Sequence, residues 1–276
     1  MDCSKSDIPI ENWSQLVTAL HSEAVIPVQD GQGGHFRSPF VFRGMSVASW
    51  ELKTSLQRLK TCPTIVEDAL LRSFKKYARI GTISDDSEWE VLSIAQHNGL
   101  PTRVLDWSVS PLVAAHFATC EKNYFNEDGV IWCVDVMALR DSILPKVISE
   151  PLRKIKAAIY DVKLLDKVFI NLHGFDEALK KDEDEAVVFF EPPSIDARIQ
   201  NQFGILSVMN GSERSHQDYF EKIALQFPQA IQRVIIKSHA KPQIRDMLDQ
   251  NNITERMLFP GLPGLCDWLR RYYGPV

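Results

Sequence analysis

The stretch Ala95–Thr119, AQHNGLPTRVLDWSVSPLVAAHFAT, constrains this chain more than any other, because its punctuation dictates a run of backbone changes. Gly99 is the permissive residue for a left-handed helix C-cap, and Pro101 bars any continuation, so a helix ends here. Thr102-Arg103-Val104-Leu105 reads as a short strand, and Asp106-Trp107-Ser108 as the corner that leaves it. Ser110 and Pro111 then start a new helix, with a hydroxyl N-cap followed by proline at the first helical position. Val113, Phe117 and Cys120 fall on one face of that helix. The corner therefore lies where a strand hands over to a helix N-terminus, a favourable place for an anionic ligand.

The remaining chain supplies more strands and helices in alternation. Residues 10–24 carry an amphipathic pattern with Trp13, Leu16, Val17 and Leu20 on one side. The polar segment 30–39 has too weak a glycine pattern for a phosphate loop. Phe40-Val41-Phe42-Arg43-Gly44 reads as a strand ending in an arginine. Thr64 with Glu67 predicts a capping box for a helix through Arg79, stopping at Gly81, with Ile65, Ala69, Leu70, Phe74 and Tyr77 in the core. Ser84 or Asp85 is the predicted cap of a second helix running to Asn98, with Gln96 and His97 in its last turn. GVIWCVDV at 129–136 and AVVFF at 186–190 are apolar enough for buried strands, followed by a helical turn with Arg198 and Gln202 and a strand at ILSV. Helices are expected at 217–225 and 242–250, a strand at 231–237, and an amphipathic helix at the end. No internal repeat or low-complexity linker breaks the chain, which predicts a single domain.

Composition narrows the function classes. In 276 residues there are five cysteines, never in a CxxC pair, which argues against structural zinc and for free thiols. The net charge of −5 disfavours bulk binding to nucleic acid. Neither a membrane-spanning run nor a signal-peptide core occurs, so an intracellular, cytoplasmic location is expected. HExxH, GxSxG, Walker and GxGxxG patterns are missing, against zinc hydrolysis, serine hydrolysis and P-loop chemistry. The polar residues that caps and solvated faces leave over are Arg43, Gln96, His97, Arg103, Asp106, Ser108, Glu185, Glu191, Arg198 and Gln202. Each adjoins apolar sequence at an element's end, the position from which side chains converge on a cleft. Arginine forks suit a diphosphate, and a carboxylate among them suits developing positive charge on a sugar ring. The same residues also suit an internal network in which Arg103 pairs with Asp106 and Arg198 caps carbonyls.

FVFRG at 40–44, AQHNGLPTRVLDWSVSPLVAAHFA at 95–118, ARIQNQFGI at 197–205 and LFPGLPGL at 258–265 resemble the signatures of the FRG-domain family, in order and from about residue 36 to 270. Ser108 stands where that family usually has threonine, and Ile205 where it commonly has phenylalanine. A looser similarity links Phe42-Arg43-Gly44, the Asp106-Trp107-Ser108 corner and the Glu185-led strand to the ADP-ribosyltransferase superfamily. These resemblances imply an α+β fold with an ADP-ribosyltransferase-like split mixed/antiparallel β core and surrounding helices. They imply one FRG-type domain over 1–276, with a helical portion at about 45–100 inserted after the first core strand. NAD would be the substrate, with no metal. Arg43 would hold its phosphate or ribose, and the Gly44 backbone would meet the nicotinamide amide. Asp106, Trp107 and Ser108 would shape the ribose pocket, with Arg103 there or paired to Asp106. Glu185, or else Glu191 or Gln202, would hydrogen-bond the ribose, and His97 would orient the acceptor or act as general base. The acceptor is a protein, a nucleic acid or water, in a toxin or phage-defence setting. The competing implication is a non-catalytic module that binds a nucleotide or nucleic acid in the same cleft.

Overall fold

Strands whose two faces are both covered read as unbroken apolar runs, and here such runs form the centre of one sheet. A computed structural model of the chain describes residues 7–21, 38–59, 61–78, 87–180, 184–194 and 196–274. Its strands are β1 (Asp7–Ile10), β2 (Phe40–Met45), β3 (Val104–Ser108), β4 (Gly129–Asp135), β5 (Tyr160–Asp161), β6 (Val187–Glu191), β7 (Gly204–Met209) and β8 (Ile231–Ile236). They line up in the order β1-β8-β4-β2-β3-β7-β6-β5. The inner pairs are antiparallel, and the two outermost pairs, β1 with β8 and β5 with β6, are parallel.

The sheet is nearly cut in two. β2 pairs with β4 along its whole length, from Phe40↔Asp135 to Met45↔Val130. With β3 it makes one bridge, Phe42↔Ser108. Beyond that bridge the two halves part at Gly44 and Asp106. The result is the α+β class that the sequence predicts, with a mixed sheet and helices around it.

The helices are α1 (Trp13–His21), α2 (Ser55–Arg58), α3 (Pro63–Tyr77), α4 (Glu88–His97), α5 (Pro111–Thr119), α6 (Val136–Ala138), α7 (Lys146–Ile155), α8 (Val162–Val168), α9 (Leu172–Lys180), α10 (Ala197–Gln202), α11 (His216–Gln226), α12 (Lys241–Gln250), α13 (Glu255–Leu258) and α14 (Leu262–Tyr273). On one face of the sheet Leu105, Trp107, Trp132 and Phe189 pack against Tyr219, Phe220 and Ile223 of α11. The opposite face carries two cores, one on each half. Phe42, Ile131 and Val234 lie under α1, α5 and α12, while Val104, Val188 and Phe190 lie under α4, α8 and α9. Trp89 anchors the second of these, fully buried between Phe175 and Phe190 with its indole N–H donating to the Phe169 carbonyl at 2.7 Å. Truncating such a residue to alanine costs about 3–5 kcal/mol.

Several local expectations change. α3 starts at Pro63 after Cys62, and Thr64 with Glu67 forms no capping box. Glu67 instead turns inward to Arg103, so the buried positions are Glu67 and Leu71, while Ile65 and Tyr77 are exposed. A buried charge pair sets the phase of this helix. The proposed stop at Gly81 and caps at Ser84 or Asp85 lie outside the described residues; α4 is capped by Ser87, whose hydroxyl accepts from the Glu90 N–H at 3.1 Å. Ile10 belongs to β1, a short proline-containing edge strand whose pattern is too brief to read from sequence. Among the described residues no helix is long and apolar enough to cross a membrane.

Candidate functional site

The Ala95–Thr119 stretch ends one helix and starts the next where its punctuation dictates, but Asp106-Trp107-Ser108, expected as a corner, is the second half of β3, paired with Leu206, Ile205 and Gly204 of β7. Gly99 takes a φ of +81°, and the Leu100 N–H closes the helix end onto the Ala95 carbonyl at 2.9 Å. β3 then runs to Ser108, and Ser110 caps α5 through the Val113 N–H at 3.4 Å with Pro111 in the first turn. In β3 only Asp106 is exposed; the residues on either side are buried. Asp106 therefore stands out of the strand at the point where the sheet parts.

Its carboxylate is held by a short relay. Gln96 donates through Nε2 to Asp106 Oδ2 at 2.7 Å, and Gln96 Oε1 accepts from the Thr102 hydroxyl at 2.5 Å. The Asp106 carbonyl accepts from Arg43 Nη1, which spans the gap between β2 and β3. Burial draws the Arg43 guanidinium below its ordinary value, with the Asp106 carboxylate partly offsetting that and Arg58 adding to it. Fully buried His216, near enough to feel the Arg43 charge, is pushed down to about 3 by burial first and by that charge second. It is therefore neutral at physiological pH.

Gly44 explains why the arginine is followed by glycine. A Cβ built there would lie 1.8 Å from the Ala114 carbonyl oxygen and 2.8 Å from the Ala118 nitrogen. α5 thus rests on bare β2 backbone through its small Ala114 and Ala118 face. That contact brings Val113 and Phe117 to the edge of the gap.

The gap is a cleft of about 180 Å³ that brings together Arg43, Gly44, Asp106, Trp107, Ser108 and Gln202. A smaller hollow of about 70 Å³ adjoins it, sharing Asp106, Trp107, Arg198 and Gln202 and adding His97. Not every member offers a free group. The Trp107 indole turns into the core and donates to Ser207 Oγ at 2.8 Å. The Ser108 hydroxyl donates to the Gln202 carbonyl at 2.7 Å and accepts from the Ser110 N–H at 2.9 Å. His97 Nε2 sits 2.5 Å from Asp196 Oδ2. Burial raises the Asp196 carboxyl, but the Ile199 N–H, His97 and the Arg198 N–H together hold it below its usual range.

Two residues named from sequence lie elsewhere. Arg103 precedes β3, about 17 Å of strand from Ser108 at the usual rise per residue. Residues three apart in a strand face opposite ways, so Arg103 does not pair with Asp106. It is buried between Glu67 and Asp176, with Nε donating to Glu67 Oε1 at 2.7 Å and Nη1 to Asp176 at 2.8 Å. Glu185 leads into β6 beside Met209 of β7, whereas the cleft is at the Gly204 end of that strand. It faces Lys222 at 3.7 Å and Arg214 at 4.0 Å on the outside of the sheet. Glu191 lines a separate hollow with Pro39 and Ile155. In both lobes of the cleft the lining carboxylate is Asp106.

The far wall of the cleft carries a weaker signal in the sequence than the near one. Arg198 and Gln202 project from α10, which is tied to the end of α13: Asn201 Nδ2 donates to the Met257 carbonyl at 2.7 Å and Gln202 Nε2 to that of Leu258 at 3.0 Å. The Arg198 guanidinium lies over the Phe259 ring at 5.1 Å, and Phe259 meets Phe117 edge-on at 6.2 Å. The LFPGLPGL segment thus acts as the backing of the cleft. The signal for it was present in the apolar, glycine- and proline-marked sequence 258–265, without any chemical group to suggest a site.

Among the described residues no cluster of three or more histidine, cysteine, aspartate or glutamate side chains is placed to hold a metal ion. Comparison with curated proteins and with solved structures finds no match. Comparison with protein families finds one that spans β2 through α5, and so includes Arg43, Gly44, Asp106 and Ser108 while stopping short of α10 and α13. Residues 38–127 match the FRG domain.

Proposed function

We propose that this chain is an ADP-ribosyltransferase-like enzyme that binds NAD in the cleft at the parting of the sheet and cleaves its nicotinamide–ribose bond. The observation that carries this reading is the placement of one exposed carboxylate, Asp106, opposite a half-buried arginine, Arg43, where β2 and β3 separate after a single bridge. Arg43 meets a phosphate or ribose oxygen, and the Gly44 backbone at the cleft lining meets the ligand's amide. Asp106, oriented by Gln96, takes the part first assigned to Glu185: it stabilises the positive charge that develops on the ribose as the C–N bond breaks and nicotinamide leaves with the electron pair. A lone pair of the acceptor then bonds to the anomeric carbon, and its proton passes to a base, for which His97 is the candidate if Asp196 releases it. The acceptor is a protein side chain, a nucleic-acid base or water, in keeping with a toxin or phage-defence effector.

A binding module without turnover is the second reading. It is favoured by the fact that Ser108, Gln202 and His97 are already engaged by protein partners. Purified protein incubated with NAD labelled in the nicotinamide ring separates the two. Release that disappears in Asp106→Asn supports the enzyme. NAD binding without release, with or without cell lysate, supports the module, and no NAD binding removes the cofactor from both.

A further inference from the structure

A guanidinium drawn out of water without an anion costs free energy, and folded proteins meet that cost with a carboxylate or leave it for a ligand to meet. Most partly buried arginines here have found a carboxylate. Arg103, Arg140, Arg233, Arg245 and Arg271 each have one within 4.0 Å. Arg58, Arg72 and Arg256 are exposed to solvent. Among the described arginines, Arg43 and Arg198 alone are partly buried with no carboxylate oxygen within 4.0 Å, and both line the same cleft. The Nε of each is buried with no hydrogen-bond partner. What bonds they have go to backbone oxygens: Arg43 to the Asp106 carbonyl, Arg198 to that of His97 at a long 3.4 Å.

We infer that Arg43 and Arg198 form a two-sided clamp for the diphosphate of a small nucleotide, with Arg198 supplying the half that the β2 arginine lacks. The planar fork of arginine suits phosphate oxygens, and the Phe259 ring, its centroid 5.1 Å from the Arg198 guanidinium carbon, backs that fork. The carboxylate that lines the cleft, Asp106, is hydrogen-bonded by Gln96 and forms no ion pair with either arginine within 4.0 Å. This inference deepens the NAD reading by placing the diphosphate, yet it does not depend on cleavage.

The test is calorimetric titration of the full chain with ADP-ribose, inorganic pyrophosphate, adenosine and nicotinamide riboside. Wild type is expected to bind ADP-ribose and pyrophosphate and to bind the two phosphate-free nucleosides at least tenfold more weakly than ADP-ribose. Arg198→Gln and Arg43→Gln should each weaken ADP-ribose by roughly 10- to 100-fold, the usual range for a lost charge-assisted hydrogen bond. Arg198→Lys, which keeps the charge and the fold, should recover part of that loss. Equal ADP-ribose affinity for wild type and Arg198→Gln overturns the clamp, as does failure of both phosphate-bearing probes to bind. Tighter binding of a single-stranded oligonucleotide than of ADP-ribose also overturns it. Arg198-dependent ADP-ribose binding without nicotinamide release upholds the clamp while the enzyme reading falls; nicotinamide release undiminished in Arg198→Gln does the reverse.

Discussion

Substituting Gly44 with alanine places a methyl group 1.8 Å from the Ala114 carbonyl oxygen and 2.8 Å from the Ala118 nitrogen. Real Cβ contacts do not fall below 3.0 Å, so the nearer atom must retreat by at least 3.0 − 1.8 = 1.2 Å. Both obstructing atoms belong to the backbone of α5, so no side-chain rotation relieves the clash and Ala114→Gly does not rescue it. α5 must move as a body, and its buried residues Val113, Ala114, Ala115 and Ala118 move with it. Overpacking of this kind costs about 1–3 kcal/mol, and a displaced backbone belongs at the upper end. For a chain of this size about 3 kcal/mol corresponds to a fall in Tm of roughly 6–12 °C. Because Val113, Ala114 and Phe117 line the cleft, ADP-ribose affinity should fall in the same variant, even at temperatures where it remains folded. Thermal unfolding followed by circular dichroism and calorimetric titration measure the two effects. A Gly44→Ala protein that melts within 2 °C or so of wild type would refute the close-approach argument.

Asp106→Asn should lower nicotinamide release by roughly 10²–10³-fold, the scale of losing one electrostatic stabiliser, whereas Glu185→Gln should leave it within about twofold; the opposite ranking restores Glu185 to the site. Arg103→Met leaves Glu67 buried without its partner and should destabilise the fold by about 3–5 kcal/mol in urea titrations, with ADP-ribose affinity of the folded protein unchanged. Burial raises the Glu255 carboxyl, but bonds from Arg271 outweigh that and bring it down to about 2 from 4.5. Its stabilising contribution, on the order of 3 kcal/mol, is complete above the unfolded value and is lost as pH falls from about 4.5 towards 2. Glu255→Gln should therefore lower stability at pH 7 and flatten the acid side of the stability profile; an acid limb as steep as that of wild type would count against the ion pair.

The parts of this fold that were legible in the sequence are those that local backbone chemistry decides. Gly99 needs a positive φ, Ser110-Pro111 can only begin a helix, and the apolar runs at β4 and β6 can only lie inside the sheet. Arg43, Asp106, Ser108 and Gln202 could be named together because each is a polar residue set beside strongly apolar sequence, although Arg43 and Asp106 lie inside β2 and β3 rather than at their ends. Glu185 and Arg103 failed for one reason: both adjoin the correct strands, but at the other end, and which end holds a cleft depends on antiparallel pairing that one sequence does not reveal. Arg198 was visible as an unexplained arginine. Its importance emerges from a contact between α10 and residues 257–259, more than fifty positions away.

That contact has a consequence for what the FRG-matching segment can do by itself. The segment matching the FRG domain ends at residue 127 and contains Arg43, Asp106 and the helix that rests on Gly44. Its opposite wall, α10, is held by residues 257–259, well outside that segment. The matched segment taken alone would therefore carry Arg43 and Asp106 without the wall that bears Arg198 and Gln202.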